Sequence, residues 1–481
     1  MSSLAMEQSQ TGIKPIPILI AFLIAGFVGL FSETALNMAL GNLMIEFDVV
    51  SSTVQWITTG YLLTMGILIP VSALLIQWFS TRQLFVASLL FSIAGAIVSG
   101  MAPTFSALLL GRVIQAIGTG LLIPLMFNTV LVIFPIHKRG TIMGLVGLVM
   151  MSAPAIGPAT AGLIIEVLSW NWILWLLIPF LLFSLVYGLL FVQNVTTLTK
   201  PKIDVLSILL STIGFGGIVY GFSIAGHKGW GSAVVISTLI IGIMSLAVFS
   251  ARQFKLDKPM LDLRTLKYPM FTLALLSVSA TFMIILSSMI LLPLYLQIGL
   301  GLTALTAGLI LMPGGALNGI LSPVAGRVYD IYGPKWLLTP GFIIMIIMLW
   351  QLSNVTTETT IPMAIFLHSG LMIGVTFVMM PVQTHGLNAL PKNLYPDGTA
   401  LINTLLQVSG SIGTALAVTI MSTSQNNFLK TVADPSDPSL VSTSLTAGVQ
   451  TAFILGIVLA VFGLVISFFI KSPKADKDSY K

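Results

Sequence analysis

The chain has no cysteine, and only 7% of its 481 residues are charged. Without a thiol there is no disulfide scaffold, no thiolate metal site and no iron–sulfur centre, while nothing follows about compartment. Soluble domains carry about 25% charged residues, so a shortage this deep excludes a soluble enzyme. Disorder, which needs high charge and low hydrophobicity, is excluded with it. No Gly-x-x-x-x-Gly-Lys-Ser/Thr loop is present to cradle nucleotide phosphates, so ATP is not the expected energy source. What is plentiful is apolar: 56% of residues are hydrophobic and the mean hydropathy is +1.03. The net charge of +6 would suggest nucleic acid in a soluble domain. In a membrane protein it reports basic cytoplasmic loops instead.

A membrane helix needs about 20 apolar residues to cross a hydrocarbon core about 30 Å thick. That criterion finds fourteen stretches, at about 16–40, 53–78, 84–101, 106–134, 141–167, 171–193, 204–226, 232–251, 270–297, 304–328, 336–353, 361–390, 398–422 and 447–470. The expected fold is therefore all-α and polytopic. With a cytoplasmic N-terminus, the inner side collects 18 lysines and arginines and the outer side only Lys228 and Lys430. This asymmetry places both termini inside. The Ser/Thr/Asn/Asp-rich stretch 423–446 is expected as an outer loop.

Gly66-Ile67-Leu68-Ile69-Pro70 recurs as Gly319-Ile320-Leu321-Ser322-Pro323, an offset of 253, and Ser152–Ile164 is echoed in Val408–Ile420, an offset of 256. The chain accordingly divides into a cytoplasmic segment 1–15, a six-helix half 16–193, an inserted pair 204–251, a second six-helix half 270–470 and a tail 471–481. Paired repeats around a central site are a common transporter build.

An ionisable side chain costs ~2.5–3.5 kcal/mol at the centre of a membrane helix. Only Glu33 in span 1 and Arg112 in span 4 lie well inside spans, both about 9–11 Å below the outer surface at about 1.5 Å per residue. They are expected to pair. A structural salt bridge, snorkelling to the surface, and a protonation site are all open at this point. If Arg112 moves, or a cationic substrate enters, the proton affinity of Glu33 changes, which is the physical content of proton coupling. One proton crossing 100 mV supplies ~2.3 kcal/mol. Gln115 lies one turn from Arg112 on the same face. Asn37, Asn403 and Gln407 are further candidates for a polar cavity, and the 23 methionines suit an adaptable surface. His368 and His385 are ~25 Å apart along one span. They cannot share a metal and are expected to make helix–helix hydrogen bonds. No metal or cofactor is expected. Gly214-Phe-Gly216-Gly217 has no preceding strand and is not a nucleotide fingerprint.

Arg112-Val-Ile-Gln115-Ala116, followed by Gly118 and Gly120, resembles the proton-coupling motif Arg-x-x-Gln-Gly of the major facilitator superfamily. Gly144, Ala153, Gly157, Pro158, Ala161 and Gly162 match its antiporter motif, with alanine twice in place of glycine. The chain resembles the fourteen-span drug:proton antiporter branch, and in local wording the lincomycin-resistance efflux proteins of Gram-positive bacteria. The resemblance implies a monomeric exporter in a bacterial cytoplasmic membrane, exchanging protons for amphipathic, lincosamide-like compounds. Export of a native lipid or metabolite and proton-coupled import are alternatives. The family's inner-loop motif is altered: its acid is Gln77 in the first half, while Gly326-Arg327-Val-Tyr-Asp330 and Lys335 keep more of it in the second. The resemblance makes Arg82, Arg327, Asp330 and Lys335 the candidate inner gate. The family's Asp-x-Thr on span 1 reads Ser32-Glu33-Thr34 here, which turns the acid by about 100°.

Overall fold

The computed structural model describes residues 14–49, 51–54, 56–196, 198, 204–256, 259–431 and 440–471, apart from a few side chains inside helices. The predicted terminal segments lie almost wholly outside the described residues. Among the described residues there are fourteen long helices: α1 (Pro15–Ala35, extended by a 3-10 turn Leu36–Ala39), α2 (Trp56–Trp78), α3 (Thr81–Gly100), α4 (Phe105–Ile133), α5 (Ile136–Val167), α6 (Asn171–Phe191), α7 (Val205–Lys228), α8 (Ala233–Lys255), α9 (Pro269–Leu294), α10 (Ala304–Tyr332), α11 (Lys335–Leu352), α12 (Ile361–Asn388), α13 (Tyr395–Leu429) and α14 (Leu440–Phe469). Among the described residues, thirteen are long and apolar enough to cross a membrane. The fourteenth, α5, is the 32-residue helix that holds the antiporter-motif residues. The all-α, fourteen-helix architecture expected from the sequence is the one the chain adopts.

Local chemistry sets the helix ends. Proline occupies the first turn of α1 and α9, where its missing N–H costs nothing. Ser80 and Gln83 form a reciprocal capping box at the start of α3, satisfying two orphan donors. Gly333 (φ 78°) ends α10 in a conformation that glycine alone adopts without strain. The stretch predicted as an outer loop at 423–446 is shorter than expected, because α13 persists to Leu429 and α14 begins at Leu440. Its polar residues pair between the two helices: Ser424 Oγ meets Thr451 Oγ1 at 2.8 Å, and Gln425 donates to Ser444 Oγ at 3.4 Å. Polar composition there signals interhelical bonding as well as exposure.

Packing follows the repeat. On one side α1 contacts α4, α5 and α6, while α3 lies between α4 and α6; on the other, α9 contacts α12, α13 and α14, and α11 lies between α12 and α14. The sets join mainly where α5 packs on α10 and α2 on α13, with α5 also touching α12 and α4 touching α13, and α7 covers the α2–α13 seam by packing on both. Trp56 stacks on Tyr220 at 5.5 Å and Trp230 Nε1 donates to Thr419 Oγ1 at 2.6 Å, fixing α7 and the turn after it there. After α8 the chain is clamped by Gln253, whose Oε1 accepts from Met260 N at 2.8 Å, and by Asp397 of α13, which accepts from Asp262 N at 2.9 Å.

Asp204, at the N-cap of α7, takes a two-pronged bond from Arg252 of α8, with Nε–Oδ2 at 2.7 Å and Nη2–Oδ1 at 3.1 Å. The Arg252 bonds, joined by those from Ser207, hold the Asp204 carboxyl down to about 2. A depressed folded-state pKa gives stabilisation that is complete above the ordinary aspartate value of about 3.9 and is lost only as pH falls through about 2. Asp204→Asn is thus expected to lower the melting temperature of the solubilised protein by the same small amount at every pH from about 8 to about 5. No deficit anywhere in that range would show the carboxylate to be ordinary.

Candidate functional site

Arg112 is the largest wholly buried side chain, with no exposed surface. It hangs from α4, and one nitrogen, Nη1, donates to Ser32 Oγ of α1 at 2.9 Å and to Gln115 Oε1 at 2.7 Å. Its Cζ lies 4.3 Å above the ring of Tyr61 on α2, a cation–π contact worth up to ~2 kcal/mol when desolvated. Tyr61 Oη in turn meets Thr119 Oγ1 at 2.7 Å and donates to Gly29 O at 3.3 Å. Nε and Nη2 of Arg112 have no hydrogen-bond partner among the described residues. A buried cation with two nitrogens unpaired is costly. It is therefore poised for a further partner.

The expected direct pairing with Glu33 does not form. The ion pairs within 4.0 Å among the described residues are Arg252–Asp204 and Arg264–Asp262. Arg112 reaches residue 32, where the family pattern has an acid and this chain has serine. The half-buried Glu33, one residue on, makes no ion pair within 4.0 Å but stays within electrostatic reach of the guanidinium. Thr34 faces α5, where a Cβ at Gly157 would come within 2.6 Å of Thr34 Oγ1. Three consecutive residues of α1 thus carry the arginine contact, the acid and the antiporter-motif contact.

The other motif residues divide. A Cβ at Gly144 would lie 2.7 Å from Pro323 Cα, so this glycine lets α5 and α10 touch backbone to backbone. Ala153 and Ala161 are fully buried. Gly162 has no atom within 4 Å of a built Cβ, so its smallness is not used for packing. The side chain of Pro158 lies outside the described residues. The contact between α5 and α10 is closest at the Gly140/Gly326 end, while Gly162 and Gly308 at the opposite end meet nothing.

That closed end holds the residues sequence reasoning missed. Arg139, 3% exposed, opens α5. Its Nε donates to Phe134 O at 3.0 Å and its Nη2 to Leu131 O, closing the C-terminus of α4. Its Nη1 donates to Asn388 Oδ1 of α12 at 2.8 Å and to Tyr395 Oη of α13 at 2.9 Å, with Cζ 5.1 Å from the Tyr395 ring centre. The next two residues bind α10: Asp330 accepts from Gly140 N at 2.8 Å, and from Thr141 N and Oγ1 at 2.7 Å each. Residues 139–141 thereby clasp three helices of the second repeat. Counted as one loop cation among many, Arg139 carried no mark of burial. The 256 offset, which aligns Pro135 with Pro391 and Arg139 with Tyr395, was the signal available.

Of the predicted inner-gate residues, Asp330 alone crosses between the repeats. Arg82 instead donates to Leu189 O at 2.7 Å and caps α6 within its own half, since an exposed cation satisfies orphan carbonyls at a helix C-terminus. Arg327 and Lys335 are exposed and form no ion pair among the described residues. Asn37 is exposed in the turn after α1 and accepts from Thr58 Oγ1 at 2.5 Å, so it lies outside the Arg112 cluster. Asn403 is buried but donates to Thr399 O at 2.8 Å within its own helix. Gln407 is half-buried. Neither ring nitrogen of His385 has a partner among the described residues, contrary to expectation; the ring packs edge-on against Tyr329 at 6.3 Å. No cluster of three metal-binding side chains occurs among the described residues.

Fourteen apolar helices in two repeated sets, meeting at a closed end and enclosing a buried, half-unpaired guanidinium, define a polytopic membrane transporter. The chain belongs to the Major Facilitator Superfamily, whose profile matches residues 22–414. It is 57% identical over 472 residues to "Lincomycin resistance protein LmrB" of Listeria innocua, covering 98% of this chain and 100% of that one. It is 58% identical over 465 residues to the protein of the same name from Bacillus subtilis, covering 96% and 97%. Among solved structures, the proton:xylose symporter XylE superposes with a TM-score of 0.64 at 13% identity, covering 95% of this chain and 96% of that chain. That likeness concerns the fold alone.

Proposed function

We propose that this protein exports amphipathic, drug-like compounds, lincosamides among them, in exchange for protons across a bacterial cytoplasmic membrane, with both termini inside. Residues 16–193 and 270–470 act as two rocking halves, and 204–251 is an inserted pair. The observation that carries this reading is Arg112, buried, bonded to α1 only through neutral Ser32, and adjacent to Glu33 without touching it. A locked ion pair would resist rearrangement; a guanidinium with free donors beside an unpaired acid does not. Resistance named for lincomycin in relatives 57–58% identical supports the substrate class. With the termini inside, the closed end formed by residues 139–141 faces the cytoplasm, which supports an outward-facing stage in alternating access. Asp330 and Arg139 hold that stage.

Substrate-induced proton release from purified protein in weakly buffered solution tests the proposal. Addition of lincomycin to wild type is expected to release protons, and Glu33→Gln to abolish the release while retaining binding. Unchanged release from the variant would place coupling on another residue.

A further inference from the structure

The repeat places an aromatic ring beneath a buried cation in one half only. An offset of 256 carries Arg112 onto His368, each the eighth residue of its helix, and the offset of 253 that relates Gly66 to Gly319 carries Tyr61 onto Gly314. Both pairs are in contact. Arg112 Cζ lies 4.3 Å above the Tyr61 ring, and a Cβ at Gly314 would come within 2.8 Å of His368 Nε2. The two halves thus bring corresponding helices together at the same position, α2 to α4 and α10 to α12. The second half does so with a glycine, so the crossing itself does not require the ring of Tyr61.

Tyr61 is held as a fixed platform. It is wholly buried, and its Oη meets Thr119 Oγ1 of α4 at 2.7 Å and donates to Gly29 O of α1 at 3.3 Å. Gly29 lets α1 come this close, since a Cβ there would lie 3.0 Å from Thr119 Oγ1. Arg112, Gln115 and Thr119 share one face of α4. The guanidinium therefore touches a hydroxyl, an amide and a ring face, all of them neutral. Glu33 feels the same guanidinium from the next position on α1, and among the described residues no other cation acts on it. Of the other helices packed on α1, α5 carries its ionisable residues His137, Lys138, Arg139 and Glu166 towards its two ends, and Tyr187 of α6 stacks on Phe183.

We propose that Tyr61 is a positioning residue: its ring seats the Arg112 guanidinium among neutral partners and, by competing with Glu33 for it, sets how firmly Glu33 keeps its proton. A cation over an aromatic face is attracted by the ring quadrupole, most strongly where water is excluded. An ionised carboxylate draws the same cation. Removing the ring lets the guanidinium shift towards Glu33, which favours the charged acid. Tyr61 stands on α2, which also packs on α13 of the other half, so relative movement of the halves bears on the seat. The proposal rests on the proton-coupled export reading above and names what regulates its acid.

The test is the pH profile of lincomycin-induced proton release from purified, full-length protein, with thermal unfolding of each variant alongside. Release falls as Glu33 ionises with rising pH. Tyr61→Leu is expected to move the midpoint of that fall about one pH unit lower, about ten-fold in proton affinity. Tyr61→Phe and Thr119→Val keep the ring and remove only its tether; they are expected to move the midpoint the same way by about 0.3 unit. These two milder variants supply the readout should Tyr61→Leu not fold. A ring that served packing alone would reduce the amplitude and leave the midpoint in place. A midpoint that stays put, or moves higher, in the folded variants overturns the proposal. If Glu33→Gln releases protons as wild type does, the coupling reading fails and takes the proposal with it. If Glu33→Gln is silent while the Tyr61 and Thr119 variants keep the wild-type midpoint, the seat alone fails.

Discussion

Arg112→Ala is expected to slow export on the order of 100-fold or more, about 2.7 kcal/mol, while the protein still folds. The guanidinium gathers three helices, binding Ser32 of α1 and Gln115 of its own α4 and lying over Tyr61 of α2. Its loss strands two buried oxygens and opens a cavity. It also removes a desolvated charge whose other two nitrogens were unpaired, so the net cost in stability is moderated. The functional cost is not moderated, because among the described residues no other cation acts on Glu33. Arg112→Lys should recover little: an ammonium cannot lie flat over Tyr61 while donating to Ser32 and Gln115. Transport into everted vesicles, alongside thermal unfolding of the same variants, measures both effects. Near-normal export by Arg112→Ala would remove the arginine from the mechanism.

Arg139→Ala is expected to shift the protein towards the inward-open state by roughly 2 kcal/mol, about 30-fold in the ratio of states. Two charge-assisted hydrogen bonds cross from Arg139 to the second repeat, to Asn388 and to Tyr395, whereas its bonds to Leu131 and Phe134 stay within the first. Opening breaks only the first kind. Tyr395→Phe keeps the ring beneath the guanidinium and should shift the balance less. The chain has no cysteine of its own, so spin labels at Phe79→Cys and Trp336→Cys, both exposed near the closed end, report the separation cleanly. A distance distribution unchanged by Arg139→Ala would assign that end's closure to Asp330 and the glycine contacts.

Span number, repeat and motif placement were legible because each depends on a local property: twenty apolar residues, a spacing, a run of small side chains. Arg112 and Gln115 were legible because a charge or an amide in a membrane helix is conspicuous. Their partners were not. Ser32, Tyr61 and Thr119 look like ordinary membrane residues, and which of Ser32 and Glu33 meets Arg112 depends on how α1 is rotated against α4, a tertiary quantity. Arg82 and Arg139 show the same limit from the other side. Both sit in short basic loops, yet one caps a neighbouring helix in its own half and the other is buried between halves.

The closed end is sealed by unlike charges that never meet each other: Arg139 binds carbonyls, an amide and a phenol, and Asp330 binds peptide N–H groups and a hydroxyl. Mobile ions have no exposed pair there to screen. In the proposed cycle, the dehydration of those two groups contributes to the balance between the two faces, and that contribution is expected to change little when the ionic strength around the closed end swings.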